Sequence, residues 1–292
     1  MTQSDMKKVD LVYWDEENFG DALSPYIVES LSGLPAPIKR ANGSYVRKLA
    51  KALLTFSFGD IKAILFPWQS SVVGVGSIIE WGNAKSKIWG SGFMNNSGTF
   101  GGGQICAVRG PYTANRLVNL GFPKCDIYGD PALLLPLFHQ AATKKKYKLG
   151  IIPHWKETDK FIELYADRYK VIDLRTSDID KVMEEITSCE YILSSSLHGV
   201  IVPHAYNIPA LWIKDGYIDT DGFKFFDYFA SVGIPKYTGF TEIGDILSNE
   251  DSWMRLFEEN AKLALIPDSL PNIQRKLIAA APFPVQKKYK MI

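Results

Sequence analysis

The segment SSSLHG, Ser194 to Gly199, sets three serines and His198 between the apolar run YIL and a stretch of helical character. Polar side chains at such a junction are costly to bury unless they are used. An imidazole there titrates near neutrality and can both give and take a proton. The alternative is a core histidine with satisfied hydrogen bonds. In open parallel sheets, ligands bind beyond the carboxyl ends of the strands, where helix N-termini offer free N–H groups. Other chemistry-bearing residues fall at positions of that kind. They are Asn18 to Asp21 after the first strand, Gly74 to Ser77, Arg109 and Gly110 after ICAV, Gly129 and Asp130 after CDIY, and His154 after GIIP. Asp21 and Asp130 both precede helices, and Pro131 follows Asp130, so each also suits a plain capping role. The GVGS at 74 to 77 lacks the third glycine and the helix of a dinucleotide loop, and the GGG at 101 to 103 reads as a loop. His139 reads as surface and His204 as structural. No HExxH or carboxylate cluster accompanies these histidines, and metal is not expected.

These residues need strands to carry them. KVDLVYW, SVVGVGSII, KIWGSGF and ICAVRG alternate with helical patterns over about Ser24 to Leu31 and Pro111 to Leu120, the pattern of parallel βα units. A basic, polar stretch from Gln140 to Lys148 reads as a linker. Beyond it LGIIPHW, KVIDL, YILSS and PALWI alternate with helices that carry Phe161 to Tyr169, Ile179 to Ile186 and residues 197 to 206. Further helices are expected near 221 to 231, 250 to 264 and 269 to 280. Two Rossmann-like halves are the economical reading, 1–143 and 144–292, with a helical tail that can cross back over the first.

Composition narrows the class of function. With 33 Lys and Arg against 32 Asp and Glu, the net charge is +1, and 46% of the 292 residues are hydrophobic. That is the inventory of an ordinary globular protein, without the cationic excess that a nucleic acid requires. Cys106, Cys125 and Cys189 form no CxxC pair, which argues against a disulfide framework or a zinc site. The opening MTQSDMKKVDLVYWDE lacks the apolar core of a leader, and no window reaches the length of a membrane span. A cytoplasmic protein is expected. YVRKLAKALLTFSF at 45 to 58 reads as a basic amphipathic helix, with Arg47, Lys48 and Lys51 on one arc. It is either a solvated helix on its own core or a peripheral contact with an anionic inner leaflet.

At its strand ends the sequence resembles the polysaccharide pyruvyl transferase family. The resemblance runs through NFGDALSPYIV (18–28), AVRGPYTANRL (107–117), YGDPALLLP (128–136), GIIPHW (150–155) and SSSLHGVIVPHAYNIPALWI (194–213), with FKFFDYF (223–229) like a helix of its exopolysaccharide members. It implies an α/β fold of two Rossmann-like domains in a GT-B-like arrangement, with the ligand cleft between them. It also implies a transferase that moves pyruvate from phosphoenolpyruvate (PEP) to two hydroxyls of a sugar in an exopolysaccharide, capsule or cell-wall precursor. The products are a pyruvate ketal and phosphate, with PEP as co-substrate and no cofactor. A lipid-linked oligosaccharide is one acceptor that fits.

On that resemblance His198 suits proton transfer, with Asp21 or Asp130 as base. Arg109, Ser194, Ser195, Ser196, Leu197 and Lys224 are expected at the donor, and Asn18, Gly20 and His154 at the acceptor. The chain departs from some members at Ser196, where they carry a donor-holding arginine. The donor's charge is then expected to be met by Arg109, whose planar guanidinium suits a carboxylate or phosphate, by N–H groups at the helix start and by another cation such as Lys224. Two other readings stand beside this one: a GT-B glycosyltransferase using a nucleotide sugar, and a catalytically silent subunit of a polysaccharide assembly.

Overall fold

A computed structural model describes residues 6–14, 16–40, 53–55, 70–216 and 220–291. The basic arc of Arg47, Lys48 and Lys51 lies outside the described residues. Among those described, no helix is long and apolar enough to cross a membrane.

Short apolar runs such as Ser71–Val73 and Leu149–Ile152 become strand segments buried on both faces, as in many parallel sheets. The first sheet contains β1 (Leu11–Val12), β2 (Ile38–Arg40), β3 (Ser71–Val73), β4 (Ser86–Trp89) and β5 (Gln104–Ala107), in the order β2-β1-β3-β4-β5. The second contains β6 (Tyr147–Ile152), β7 (Lys170–Val171), β8 (Cys189–Ser194) and β9 (Ala210–Trp212), in the order β7-β6-β8-β9. Every pairing is parallel. This is a mixed α/β fold of Rossmann-like character with two parallel sheets. In each sheet the chain steps first to one side of the opening strand and then to the other. The order therefore reverses between β1 and β3 and between β6 and β8, and a crevice opens beyond the carboxyl ends of those strands.

The helices that matter to that crevice are α1 (Phe19–Ser32), α2 (Pro111–Asn119), α3 (Thr158–Tyr165), α4 (Ile179–Thr187), α5 (His198–Ala205) and α6 (Phe223–Ser231). The α1 helix begins five residues before its expected start at Ser24. Pro25 suggests a first-turn proline, but the chain accommodates it inside the helix, and Asn18 provides the N-cap. The expected linker is not loose. The Ala142 N–H donates to Thr187 Oγ1 (2.9 Å), Lys145 Nζ donates to the Cys189 carbonyl (2.6 Å), and β6 is already under way at Tyr147. One contiguous apolar core joins residues of both sheets, from Leu11 and Leu23 through Leu133 to Ile192 and Val200.

Candidate active site

At the carboxyl end of β8 the chain must turn sharply into α5, and the serines make that turn. Ser194 Oγ donates to the Ile152 carbonyl (2.7 Å) and accepts from the Ser196 N–H (3.0 Å). Ser195 Oγ donates to Glu157 Oε2 (2.6 Å) and accepts from the His154 N–H (2.7 Å). Both serines are buried, and Leu197 is packed in the apolar core. Ser194, Ser195 and Leu197 thus shape the turn with their side chains and do not present them to a ligand. Ser196 is half-buried. The turn aims His198, the first residue of α5, at the first half of the chain.

There His198 meets Gly20 and two carboxylates. A Cβ on Gly20 would lie 2.2 Å from His198 Nδ1, so only glycine lets α1 approach the imidazole this closely. Gly20 is buried beneath the ring, which corrects its expected place against a sugar. Asn18 caps α1, its Oδ1 accepting from the Asp21 N–H (3.4 Å). The Phe19 N–H donates to the Leu174 carbonyl (2.9 Å), which pins the start of α1 to the second half of the chain.

On the other side His198 Nε2 faces Asp130 Oδ2 at 3.7 Å. Both atoms are buried, and neither has a hydrogen bond. Asp130 does cap the 3₁₀ turn Pro131–Leu137, its Oδ1 accepting from the Ala132 N–H (2.9 Å), but that role uses only one oxygen. Capping alone leaves the second oxygen unexplained, since a buried carboxylate oxygen without a partner is costly. Asp21 lies close enough to feel His198 electrostatically and accepts a backbone hydrogen bond from Trp14. Burial outweighs both and raises its pKa to about 6. Asp21, His198 and Asp130 come from three separate segments, and the fold brings them together at the crevice.

Arg109 goes elsewhere. Its side chain is wholly buried, and each of its three nitrogens has a protein partner. Nε donates to Asp227 Oδ2 (3.0 Å), one terminal nitrogen to Ser77 Oγ (2.6 Å) and the other to the Phe93 carbonyl (2.6 Å). The expected donor contact is therefore corrected: Arg109 is a buried joint between the first half and α6. Its partner Asp227 also accepts from the Thr113 N–H (2.9 Å) and hydroxyl (2.7 Å). Sequence reading missed Asp227, although one acid within the aromatic helix FKFFDYF was a signal. Lys224, in the first turn of the same helix, is 7% exposed, its ammonium 5.5 Å from the Phe225 ring centre.

The crevice has further walls. His154 is half-buried at the end of β6, and its neighbour Trp155 is 39% exposed. Glu157 was also missed in the sequence. Burial raises its pKa, and its Oε1 has no hydrogen bond. Behind the site His204 is buried between the Tyr228 hydroxyl (3.0 Å) and the Ala210 carbonyl (3.0 Å). Burial lowers its pKa to about 4, so it is neutral and structural.

Comparison with known proteins bears on residues 101–216, which match the family model described as polysaccharide pyruvyl transferase. A second comparison finds an uncharacterized protein of Acanthamoeba polyphaga mimivirus, 34% identical over 175 residues. That stretch covers 56% of this chain and 60% of the relative, less than two thirds of its length. The matched family segment contains Asp130, the serine turn and His198, whereas Asp21 and Lys224 lie outside it. Residues 101–216 are thus similar to a polysaccharide pyruvyl transferase domain.

Proposed function

We propose that the chain transfers pyruvate from PEP to two hydroxyls of a saccharide, forming a cyclic ketal and releasing phosphate. The observation that carries the reading is the convergence of His198, Asp130 and Asp21 at the crevice of a chain with a segment similar to a pyruvyl transferase domain. Ketal formation begins when a proton adds to the PEP methylene, which places positive character on the central carbon. One sugar hydroxyl attacks that carbon and gives up its proton. Phosphate then leaves, and the second hydroxyl closes the ring as its proton passes to the released phosphate.

His198 is the acid. Its Nε2 lies 3.7 Å from Asp130 Oδ2. Asp130 is then the group that holds the imidazolium, and Asp21 is the base. A carboxyl with pKa near 6 is ionised at neutral pH yet basic enough to share the proton of an attacking hydroxyl. With Arg109 sequestered, the donor's charge falls to the first-turn N–H groups of α5 and to Lys224. PEP and a saccharide acceptor suffice as partners, and the acceptor class includes lipid-linked precursors of surface polysaccharide.

The test is turnover in heavy water with PEP and candidate acceptors. Solvent deuterium is expected in the methyl group of the ketal, with stoichiometric phosphate release. His198→Gln is expected to fold and to lower both products together by roughly a hundredfold, the usual scale for losing a general acid. Consumption of a nucleotide sugar with PEP left untouched would overturn the reading.

A further inference from the structure

Two tryptophans meet across the crevice and are used by nothing described so far. Trp14 follows β1 and Trp155 follows β6, so they stand at the carboxyl ends of the two different sheets. Their rings pack edge to face, with centres 6.3 Å apart and planes at 72°. Trp14 is half-buried and Trp155 is 39% exposed. An indole offers a ligand a large apolar face with a polar N–H at its edge.

The corner they form is braced. The His154 N–H donates to Ser195 Oγ, Ser195 Oγ donates to Glu157, and the Glu157 N–H donates to the His154 carbonyl (2.8 Å). These bonds close the loop that carries Trp155 onto the end of β8, one turn from His198. On the other side the Trp14 backbone donates to the Asp21 carboxylate. The Trp14 segment is therefore tied to Asp21 and the Trp155 segment to Ser195, three residues before His198, and the Lys156 ammonium lies 5.3 Å from the Trp155 ring centre.

We infer that the Trp14–Trp155 corner is the platform for a hexopyranose ring of the acceptor. The inference rests on the pyruvyl transfer reading for its assignment to the acceptor. PEP has three carbons and no ring face, and an aromatic corner does nothing for a small anion. A pyranose has both of the surfaces required: a patch of axial C–H bonds that lies on an indole face, and hydroxyls at its edge that reach a carboxylate. Seated on Trp155, such a ring turns its edge toward Asp21, where a hydroxyl must lose its proton.

The test uses wild type, Trp155→Ala, Trp155→Phe and Trp14→Ala, probed by saturation-transfer NMR. The probes are methyl galacto-, gluco- and mannopyranoside, with uridine diphosphate alongside. Saturation is expected on the ring C–H protons of at least one pyranoside in wild type. Trp155→Ala is expected to weaken that binding about tenfold or more, and Trp155→Phe to restore much of it, because a smaller aromatic face still stacks. The KM for PEP in phosphate release should stay within about twofold in both Trp155 variants, since uniform loss of acceptor binding leaves donor affinity alone. Absence of pyranoside binding in wild type, unchanged pyranoside binding in Trp155→Ala, or saturation confined to the uracil protons would overturn the inference. If pyranosides bind through Trp155 but PEP is never consumed, the platform stands and the pyruvyl transfer reading falls.

Discussion

At the scale of single residues, the site combines groups that are costly to the fold. Asp21 is the clearest case, because burial holds its pKa at about 6 against an ordinary 3.8. A carboxyl whose pKa is raised on folding binds protons more tightly in the native state. Its neutral form carries no penalty below pH 4, and the penalty grows as pH rises from 4 to 6. Above pH 6 it is complete, on the order of 2–3 kcal/mol. Asp21→Asn is therefore expected to raise stability at pH 7 to 8 by about 1–3 kcal/mol, with the gain vanishing near pH 4, while turnover falls. Urea denaturation at both pH values checks the sign. A variant that is less stable at pH 8 would show that the carboxylate is held by its neighbours and not strained by burial. How far the sequence reveals the site also differs by residue. The polar types at the strand ends point to Asp21, Asp130 and His198. Nothing in the sequence says that Gly20 must lie beneath the imidazole, because that close approach exists only once α1 is laid against the second half.

At the scale of elements, α6 explains why Arg109 misled. In sequence it is an arginine after a buried strand, the kind of position where an anion binds, and FKFFDYF looks like a separate amphipathic helix. Their pairing depends on contacts more than a hundred residues apart. One side of α6 stacks Phe225 on Trp212 with ring centres 4.0 Å apart, and another sends Asp227 to Arg109 and Thr113. A Cβ on Gly110 would lie 2.0 Å from the Asp227 carbonyl oxygen, so the strand end and the helix touch through backbone. The strands themselves were largely legible, since runs such as LGIIP and YILSS are apolar enough to be buried on both faces. By contrast IKR, which forms β2, has no apolar run to announce it. Asp227→Ala should leave the Arg109 charge buried and unpaired and cost about 3–5 kcal/mol of stability. The double variant Arg109→Met with Asp227→Leu should cost less than Asp227→Ala alone. Denaturation midpoints measure both. Folded Arg109→Lys is expected to bind PEP by calorimetry as wild type does, and a selective loss of donor affinity would return Arg109 to the site.

At the scale of the whole molecule, the two sheets are bound together by more than the crevice. The C-terminal helix α7 (Leu270–Ala279) and the chain after it lie against the first half. Gln274 Nε2 donates to the Leu133 carbonyl (2.8 Å), Trp89 Nε1 to the Leu277 carbonyl (2.8 Å) and the Gln286 N–H to the Leu31 carbonyl (2.9 Å). Phe283 is buried edge to face on Trp89, ring centres 5.0 Å apart. The first sheet thus completes its core with residues from the far end of the sequence, and the candidate catalytic set, drawn from α1, the 130 turn and α5, depends on that assembly. Two independently stable halves would unfold separately, whereas a shared core predicts one transition. Phe283→Ala, far along the chain from every candidate site residue, should cost about 3–5 kcal/mol through the cavity it leaves. Hydrogen exchange is the discriminating measurement. If the molecule is one cooperative unit, amides of β4 in the first sheet and of β8 in the second should lose protection by the same factor, because both report the same global opening. Lost protection in β4 with β8 unchanged would divide the molecule into two foldons and assign the crevice to a boundary that opens on its own.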